Sequence, residues 1–87
     1  MKVHNLKIEP KYFYDVIAGV KKFEVRKNDR DFKVGDYVFL EEYDHKGYTG
    51  KFVNAEIIYI LDDQEYIKDD YVVLGIELRI EKGAQTL

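Results

Sequence analysis

Residues 19–26 read Gly-Val-Lys-Lys-Phe-Glu-Val-Arg, and this stretch marks the change from a helix to a strand. Three apolar side chains before it have the i, i+3, i+4 spacing of one helical face: Phe13, Val16 and Ile17. Gly19 suits the left-handed position that ends many helices. Apolar and charged residues then alternate, which is the period of a strand. The sequence therefore predicts a helix over 11–18 and a strand over 22–26.

Four further strands are predicted around this helix and strand. They cover residues 3–8, 37–43, 52–61 and 71–80, joined by a polar loop (27–33), a Gly35-Asp36 turn, a hairpin connection (44–50) and an acidic connection (62–70). The last strand places a row of apolar residues on one face: Val72, Leu74, Ile76, Leu78 and Ile80. The order β-α-β-β-β-β predicts an α+β fold. We expect a small, mostly antiparallel sheet that is curved or closed into a barrel, with the helix over one end or seam.

Composition predicts one cytoplasmic domain. The chain has 87 residues, 46% of them hydrophobic, which suits a single domain over residues 1–81 with a flexible tail over 82–87. There is no cysteine, so disulfides do not contribute to stability. No apolar run approaches the roughly 18 residues that cross a bilayer, and residues 1–10 lack the apolar core of a signal peptide. We expect a monomer with no membrane partner.

Basic residues are concentrated around the quoted stretch. The net charge is −3, but residues 19–33 hold six basic and three acidic groups and therefore carry +3. Nucleic-acid-binding surfaces are basic, so the distribution of charge matters more than its sum. Two interpretations stay open at this point: a binding surface, or the ordinary surface charge of a strand and its loop.

Several kinds of chemistry are excluded or not supported by residue type. The chain has no serine and no cysteine, which rules out a Ser or Cys nucleophile. Its two histidines, His4 and His45, do not form a ligand set of recognisable spacing, so we predict no metal site. Glycine-rich phosphate-binding motifs are absent, and no cofactor is expected.

The motif at Gly19, Lys21, Glu24 and Arg26 resembles the Gly-x-Lys-x-x-Glu-x-Arg signature of the ASCH superfamily, a group of PUA-like barrels. Its context is similar as well, since a short helix precedes the motif and a Gly-Asp turn follows it. The likeness covers nearly the whole chain and points to an uncharacterised branch of small bacterial and phage proteins. It implies a barrel with a cleft between helix and sheet, and an RNA-related role.

Some small members of that superfamily hydrolyse acylated cytidine nucleosides, using a Lys and a Thr of the motif strand and a Glu on a late strand. By position Lys21 matches the Lys, Glu24 stands where those enzymes have Thr, and Glu77 is the candidate for the late carboxylate. An amidohydrolase with Lys21 and Glu77 as proton-transfer groups is therefore the alternative function. Without the Thr, such an enzyme would need direct attack by water.

The preferred hypothesis is a module that binds nucleic acid, with RNA favoured, or a nucleotide, and that uses the cleft. The candidate binding residues are Lys21, Lys22, Glu24, Arg26, Lys27, Asn28, Arg30 and Tyr48. Glu24 and Arg26 share one face of the strand, where they form either a structural ion pair or part of the cleft. Tyr48, between Gly47 and Gly50, is placed to stack on a base or to pack its own loop.

Overall fold

Five strands and one helix make up the part of the chain that the computed structural model describes, residues 1–79. In chain order they are β1 (Val3–Ile8), α1 (Pro10–Ile17), β2 (Phe23–Lys27), β3 (Tyr37–Asp44), β4 (Gly47–Leu61) and β5 (Tyr71–Leu78). This is the predicted order of elements. The expected tail over 82–87, and Ile80 of the predicted last strand, lie outside the described residues.

The five strands form one curled sheet in the order β1-β3-β4-β5-β2. The β1–β3 pair is parallel, and the other three pairs are antiparallel, as the prediction of a mostly antiparallel sheet requires. The sheet curls into a half-barrel, so the predicted curved form is confirmed. The closed alternative is wrong for residues 1–79, because the edge strands β1 and β2 do not pair with each other.

The helix begins and ends where local chemistry favours it. Pro10 occupies the first turn, where its missing N–H has no helical partner to lose. At the other end Gly19 has φ +76°, a conformation that costs glycine little. The Gly19 amide bonds to the Val16 carbonyl and the Val20 amide to the Asp15 carbonyl, both at 3.0 Å, which is the Schellman pattern. The helix thereby presents the fully buried Phe13 and Val16 to the sheet.

One hydrophobic core fills the concave side of the sheet beneath the helix. The predicted row on β5 supplies its centre, with Val72, Leu74 and Ile76 all at most 4% exposed and Leu78 packed against its edge. Apolar residues of the other inward rows complete the core: Leu6, Ile8, Val38, Leu40, Val53, Ala55 and Ile57, with Phe32 from the β2–β3 loop. The predicted inward row of β5 is thus confirmed over residues 72–78.

Strand β4 starts earlier than expected. Gly47 to Gly50 were predicted to belong to a hairpin connection over 44–50, but β4 begins at Gly47 and only His45 and Lys46 separate it from β3. Asp44 pairs with Gly47, and Tyr43 pairs with Tyr48. Glycine at 47 has φ +112°, which permits this tight connection. Tyr48 therefore projects from a strand rather than from a mobile hairpin tip.

The two faces of β2 are arranged unlike an ordinary amphipathic strand. Phe23 and Val25 are 46% and 52% exposed, whereas Glu24 is only 4% exposed. The charged side of the strand therefore faces inward, where Glu24 meets cationic partners. The Lys21 amino group, just before the strand, reaches Glu24 as well.

A buried carboxylate fixes the start of β1 to the turn before β3. Asp36 accepts hydrogen bonds from the Lys2 amide (3.0 Å), the Lys33 amide (3.1 Å) and the His4 ring (2.8 Å between Nε2 and Oδ2). These donors, with the His4 ring first, lower the pKa of Asp36 from 3.8 to about 2 despite its burial. Because the folded pKa is depressed, this contribution to stability is present above pH 4.

We therefore predict that acid weakens the fold between about pH 4 and pH 2, as Asp36 takes up a proton. The contribution is no more than about 2.5 kcal/mol, from 1.36 kcal/mol per pKa unit. Asp36→Asn should lower the free energy of unfolding at pH 7 and flatten its dependence on pH below 4. Urea unfolding of both proteins from pH 2 to pH 7 measures this, and parallel curves for the two proteins would refute it.

Candidate functional site

The gap between the edge strands β1 and β2 is bridged by two arginines, and we call this gap the seam. Arg26 Nη2 donates a hydrogen bond to the Lys7 carbonyl at 2.5 Å. Arg30 Nη1, from the loop after β2, donates to the Asn5 carbonyl at 2.8 Å. The two arginine side chains thus donate to carbonyl groups of β1 that have no neighbouring strand to pair with.

Glu24 lies at the centre of the seam between two cations. Its Oε1 is 2.5 Å from Lys21 Nζ, and its Oε2 accepts from Nε and Nη2 of Arg26 at 3.1 and 3.0 Å. Lys21 Nζ also donates to the Phe23 carbonyl at 2.6 Å. The predicted shared face of Glu24 and Arg26 is confirmed, and Arg26 is turned toward the helix and β1. The cluster of the nearly buried Glu24 carboxylate and its two cationic partners therefore carries a net positive charge.

Three neighbouring hollows lie along the seam, and Arg26 lines each of them. The largest, of about 480 Å³, lies between the start of the helix and β2 and is lined by Lys7, Ile8, Glu9, Tyr12, Lys21, Phe23, Glu24, Val25 and Arg26. A part of about 290 Å³ continues past Asn5, Arg30, Glu41 and Tyr48. A small part of about 120 Å³ reaches Lys27, Asp29 and Phe32. We call the whole the seam groove.

Exposed aromatic rings flank the seam groove. Tyr48 is 58% exposed and meets the Tyr43 ring edge to face, with centroids 5.0 Å apart. Lys7 Nζ lies 4.4 Å from the centre of the Tyr43 ring and 5.7 Å from that of Tyr48. At the other end Tyr12 lies beside Lys21, whose amino group is 5.4 Å from the ring centre. Exposed aromatic rings beside cations are groups that can stack on bases.

The structure gathers most of the predicted binding residues into the seam groove. Lys21, Glu24, Arg26, Lys27, Arg30 and Tyr48 all line it. Asn28 lines none of the three parts of the groove. Its backbone N–H donates a hydrogen bond to the Asp70 carbonyl at 2.7 Å. Lys22 instead lines a separate cleft at the end of the helix.

That separate cleft contains the residues of the hydrolase alternative. It measures about 420 Å³ and is lined by Val16, Gly19, Lys21, Lys22, Ile58, Ile76, Glu77 and Leu78. Glu77 is well exposed there and lies 2.7 Å from Arg79 Nη1. The Lys21 amino group is held by Glu24 at 2.5 Å. Each proton-transfer candidate therefore has a partner of opposite charge.

Two residues at this site were not predicted from the sequence: Lys7, which lines the seam groove, and Tyr43, whose ring contacts Tyr48 and Lys7 beside it. Lys7 is an isolated cation on a strand predicted only from its apolar positions, and Tyr43 is one of eight tyrosines. Their relevance depends on β1 and β2 meeting at the seam, which is a tertiary property. The alternation of β1 does indicate that Lys7 points away from the core side that holds Leu6 and Ile8.

Other kinds of site find less support in the structure. Residues 1–79 contain no group of three or more His, Cys, Asp or Glu side chains arranged to hold a metal ion. In the same residues, no helix is long and apolar enough to cross a bilayer.

Comparisons with known proteins place the chain among relatives of undetermined function. The model of a domain of unknown function, DUF3850, matches residues 3–76. The chain belongs to the DUF3850 family. All but the end of β5 lies within the matched range, so the seam groove is part of the DUF3850 domain.

One relative is similar to this chain in sequence, and one solved structure is similar in fold. An uncharacterized 12.9 kDa protein in the GpA 3′ region of Escherichia phage P2 is 38% identical over 73 residues, which are 84% of this chain. The chain spans 66% of that relative's length. The crystal structure of hypothetical protein PH0355 has a TM-score of 0.64 at 20% identity and covers 91% of this chain and 100% of its own. It is similar in fold.

Proposed function

We propose that this DUF3850 domain binds single-stranded nucleic acid, RNA by preference, or a nucleotide in the seam groove. The observation that carries the proposal is that Arg26, Arg30 and Lys7 line one hollow of the seam groove together with the exposed Tyr48. Arginine grips phosphate through a planar fork of donors, and tyrosine offers a face to any base.

The likeness to the ASCH superfamily supports the same site. Three residues of its motif, Lys21, Glu24 and Arg26, form the ion-paired centre of the seam, and the helix that precedes the motif forms one wall of the groove. We propose that the chain is a PUA-like domain of that superfamily. A cleft between helix and sheet is the place where the superfamily implies binding.

A purely structural role for the arginines is the competing interpretation. Arg26 is bonded to Glu24 and to the Lys7 carbonyl, and its side chain is 22% exposed. Its Nη1 group makes no hydrogen bond with residues 1–79, and neither does Nη2 of Arg30. Both guanidinium groups thus hold the seam and still have donors for a ligand.

The proposed function predicts weak, salt-sensitive RNA binding that depends on Arg26. Three to five basic contacts give a log–log salt slope of about −2 to −4, at roughly 0.7 per phosphate. We expect a Kd on the order of 10 μM or weaker at physiological salt, because the net charge is −3. Arg26→Ala should weaken binding at least about fivefold, the effect of about 1 kcal/mol for one lost charge-assisted contact.

Lys68→Ala is the matched control, because it removes an exposed cation on the β4–β5 connection, away from the seam groove. Fluorescence anisotropy with short labelled RNAs measures both variants over a series of salt concentrations. Equal losses for the two variants would show that only overall charge matters. Flat titrations at low salt would remove the proposal.

For the amidohydrolase alternative we predict no measurable hydrolysis of acetylated cytidine. A catalytic base must be neutral part of the time, and a free Lys has a pKa near 10.4. The Lys21 amino group already donates to the Glu24 carboxylate at 2.5 Å and to the Phe23 carbonyl at 2.6 Å, so it is held within the chain and is not positioned to take a proton from a substrate. Turnover that is lost in Lys21→Ala and rises through pH 7–8 would make the enzyme the better hypothesis.

A further inference from the structure

The two bridging arginines are spaced by the period of strand β1. Arg26 and Arg30 bond to the carbonyls of Lys7 and Asn5, which are two residues apart on the same edge of the strand. Two residues of a strand span about 6.6 Å. This is close to the separation of neighbouring phosphates along an extended nucleic-acid strand.

From this spacing we infer that the ligand of the seam groove is a single-stranded oligonucleotide and not a free nucleotide, with neighbouring phosphates at Arg26 and Arg30. This inference rests on the proposed function and narrows it to one class of ligand. The unused donors, Nη1 of Arg26 and Nη2 of Arg30, each take one phosphate. The strand then runs along β1, with its backbone parallel to the row of carbonyls.

The surroundings of the arginines agree with this arrangement. Both line the part of the groove that ends at Tyr48, so a base attached between the two phosphates lies beside an exposed ring. Arg30 is 47% exposed and has one weak partner, Asp29, at 3.8 Å. Beyond its hydrogen bond to the Asn5 carbonyl, Arg30 therefore makes few contacts that would stabilise the fold. A mononucleotide reaches only one of the two arginines.

The test compares uridine 5′-monophosphate with 5′-phosphorylated pentauridine by NMR titration of the whole chain. We expect the pentamer to bind at least about tenfold more tightly. Arg30→Ala should weaken pentamer binding about three- to tenfold and make the salt slope of pentamer binding shallower by about 0.7. Lys33→Ala is the matched control, since Lys33 lies in the same loop, is 68% exposed and does not line the groove.

The outcomes separate this inference from the proposed function. Equal affinities for the two ligands, or equal effects of Arg30→Ala and Lys33→Ala on the pentamer, would overturn the two-phosphate arrangement and leave the groove as a nucleotide site. Binding of neither ligand would remove the proposed function, and the inference with it. A lower melting temperature of Arg30→Ala with unchanged pentamer binding would make the arginine a structural bridge and would also overturn the inference.

Discussion

Replacing Leu74 by Ala should lower the free energy of unfolding by about 2–5 kcal/mol, the usual range for a fully buried leucine. Leu74 has no exposed surface and lies at the centre of the core row of β5. Its strand pairs with β4 on one side and β2 on the other, so the cavity cannot be filled by a shift of an edge. Urea unfolding of both proteins measures the difference.

Val25→Ala serves as the control for this substitution. Val25 lies on the neighbouring strand β2 but is 52% exposed, so its truncation should cost less than about 1 kcal/mol. A Leu74→Ala protein that loses less than about 0.5 kcal/mol would mean that the inner face of the sheet is assigned wrongly. Similar losses for the two variants would lead to the same conclusion.

Glu24→Gln should destabilise the protein by about 1–3 kcal/mol, because two seam cations lose their shared counter-ion. The carboxylate is 4% exposed, and both of its oxygens accept hydrogen bonds from Lys21 and Arg26. The side-chain amide of the substituted Gln offers one acceptor oxygen, and its NH2 group points a donor toward one of the two cations. The cost stays below that of a fully buried pair because the Lys21 and Arg26 side chains are 16% and 22% exposed and can reach water.

The same substitution should strengthen RNA binding by about two- to fivefold at low salt, since one negative charge leaves the groove. A loss of stability together with a gain in RNA affinity would distinguish a ligand site from a structural ion pair. Glu65→Gln makes the same chemical change at an exposed position and should alter neither quantity. Loss of both stability and RNA binding in Glu24→Gln would indicate that Glu24 positions Arg26 for the ligand.

Local sequence signals were sufficient for most of the scaffold. The helix is bounded by Pro10 and Gly19, whose backbone preferences do not depend on the rest of the fold. The β5 row follows from alternation alone, because a strand packed on one core must direct every second residue inward. Alternation also put Glu24 and Arg26 on one face of β2, and the resemblance to the ASCH superfamily led us to expect a cleft on that side.

The inverted strand β2 could not be predicted in this way. Alternation identifies two faces and does not say which of them is buried, and hydrophobicity favours Phe23 and Val25 over Glu24. The charged face turns inward because cationic side chains meet it from the end of the helix and from β2 itself, and Arg26 continues to the Lys7 carbonyl. Which edge strands approach each other depends on the curl of the whole sheet, so Lys7 and Tyr43 have no local signal that marks them.

Chemical-shift mapping with single-stranded RNA tests the central claim, that the seam groove is a nucleic-acid site, most directly. Uridine-rich RNA is added at low salt to the ¹⁵N-labelled chain, and the amide shifts are followed residue by residue. The account predicts shifts concentrated in β2, Lys7, Arg30 and Tyr48, which diminish as salt is added. Unchanged spectra at high RNA concentration, or shifts clustered on the β4–β5 connection over residues 62–70, would contradict it.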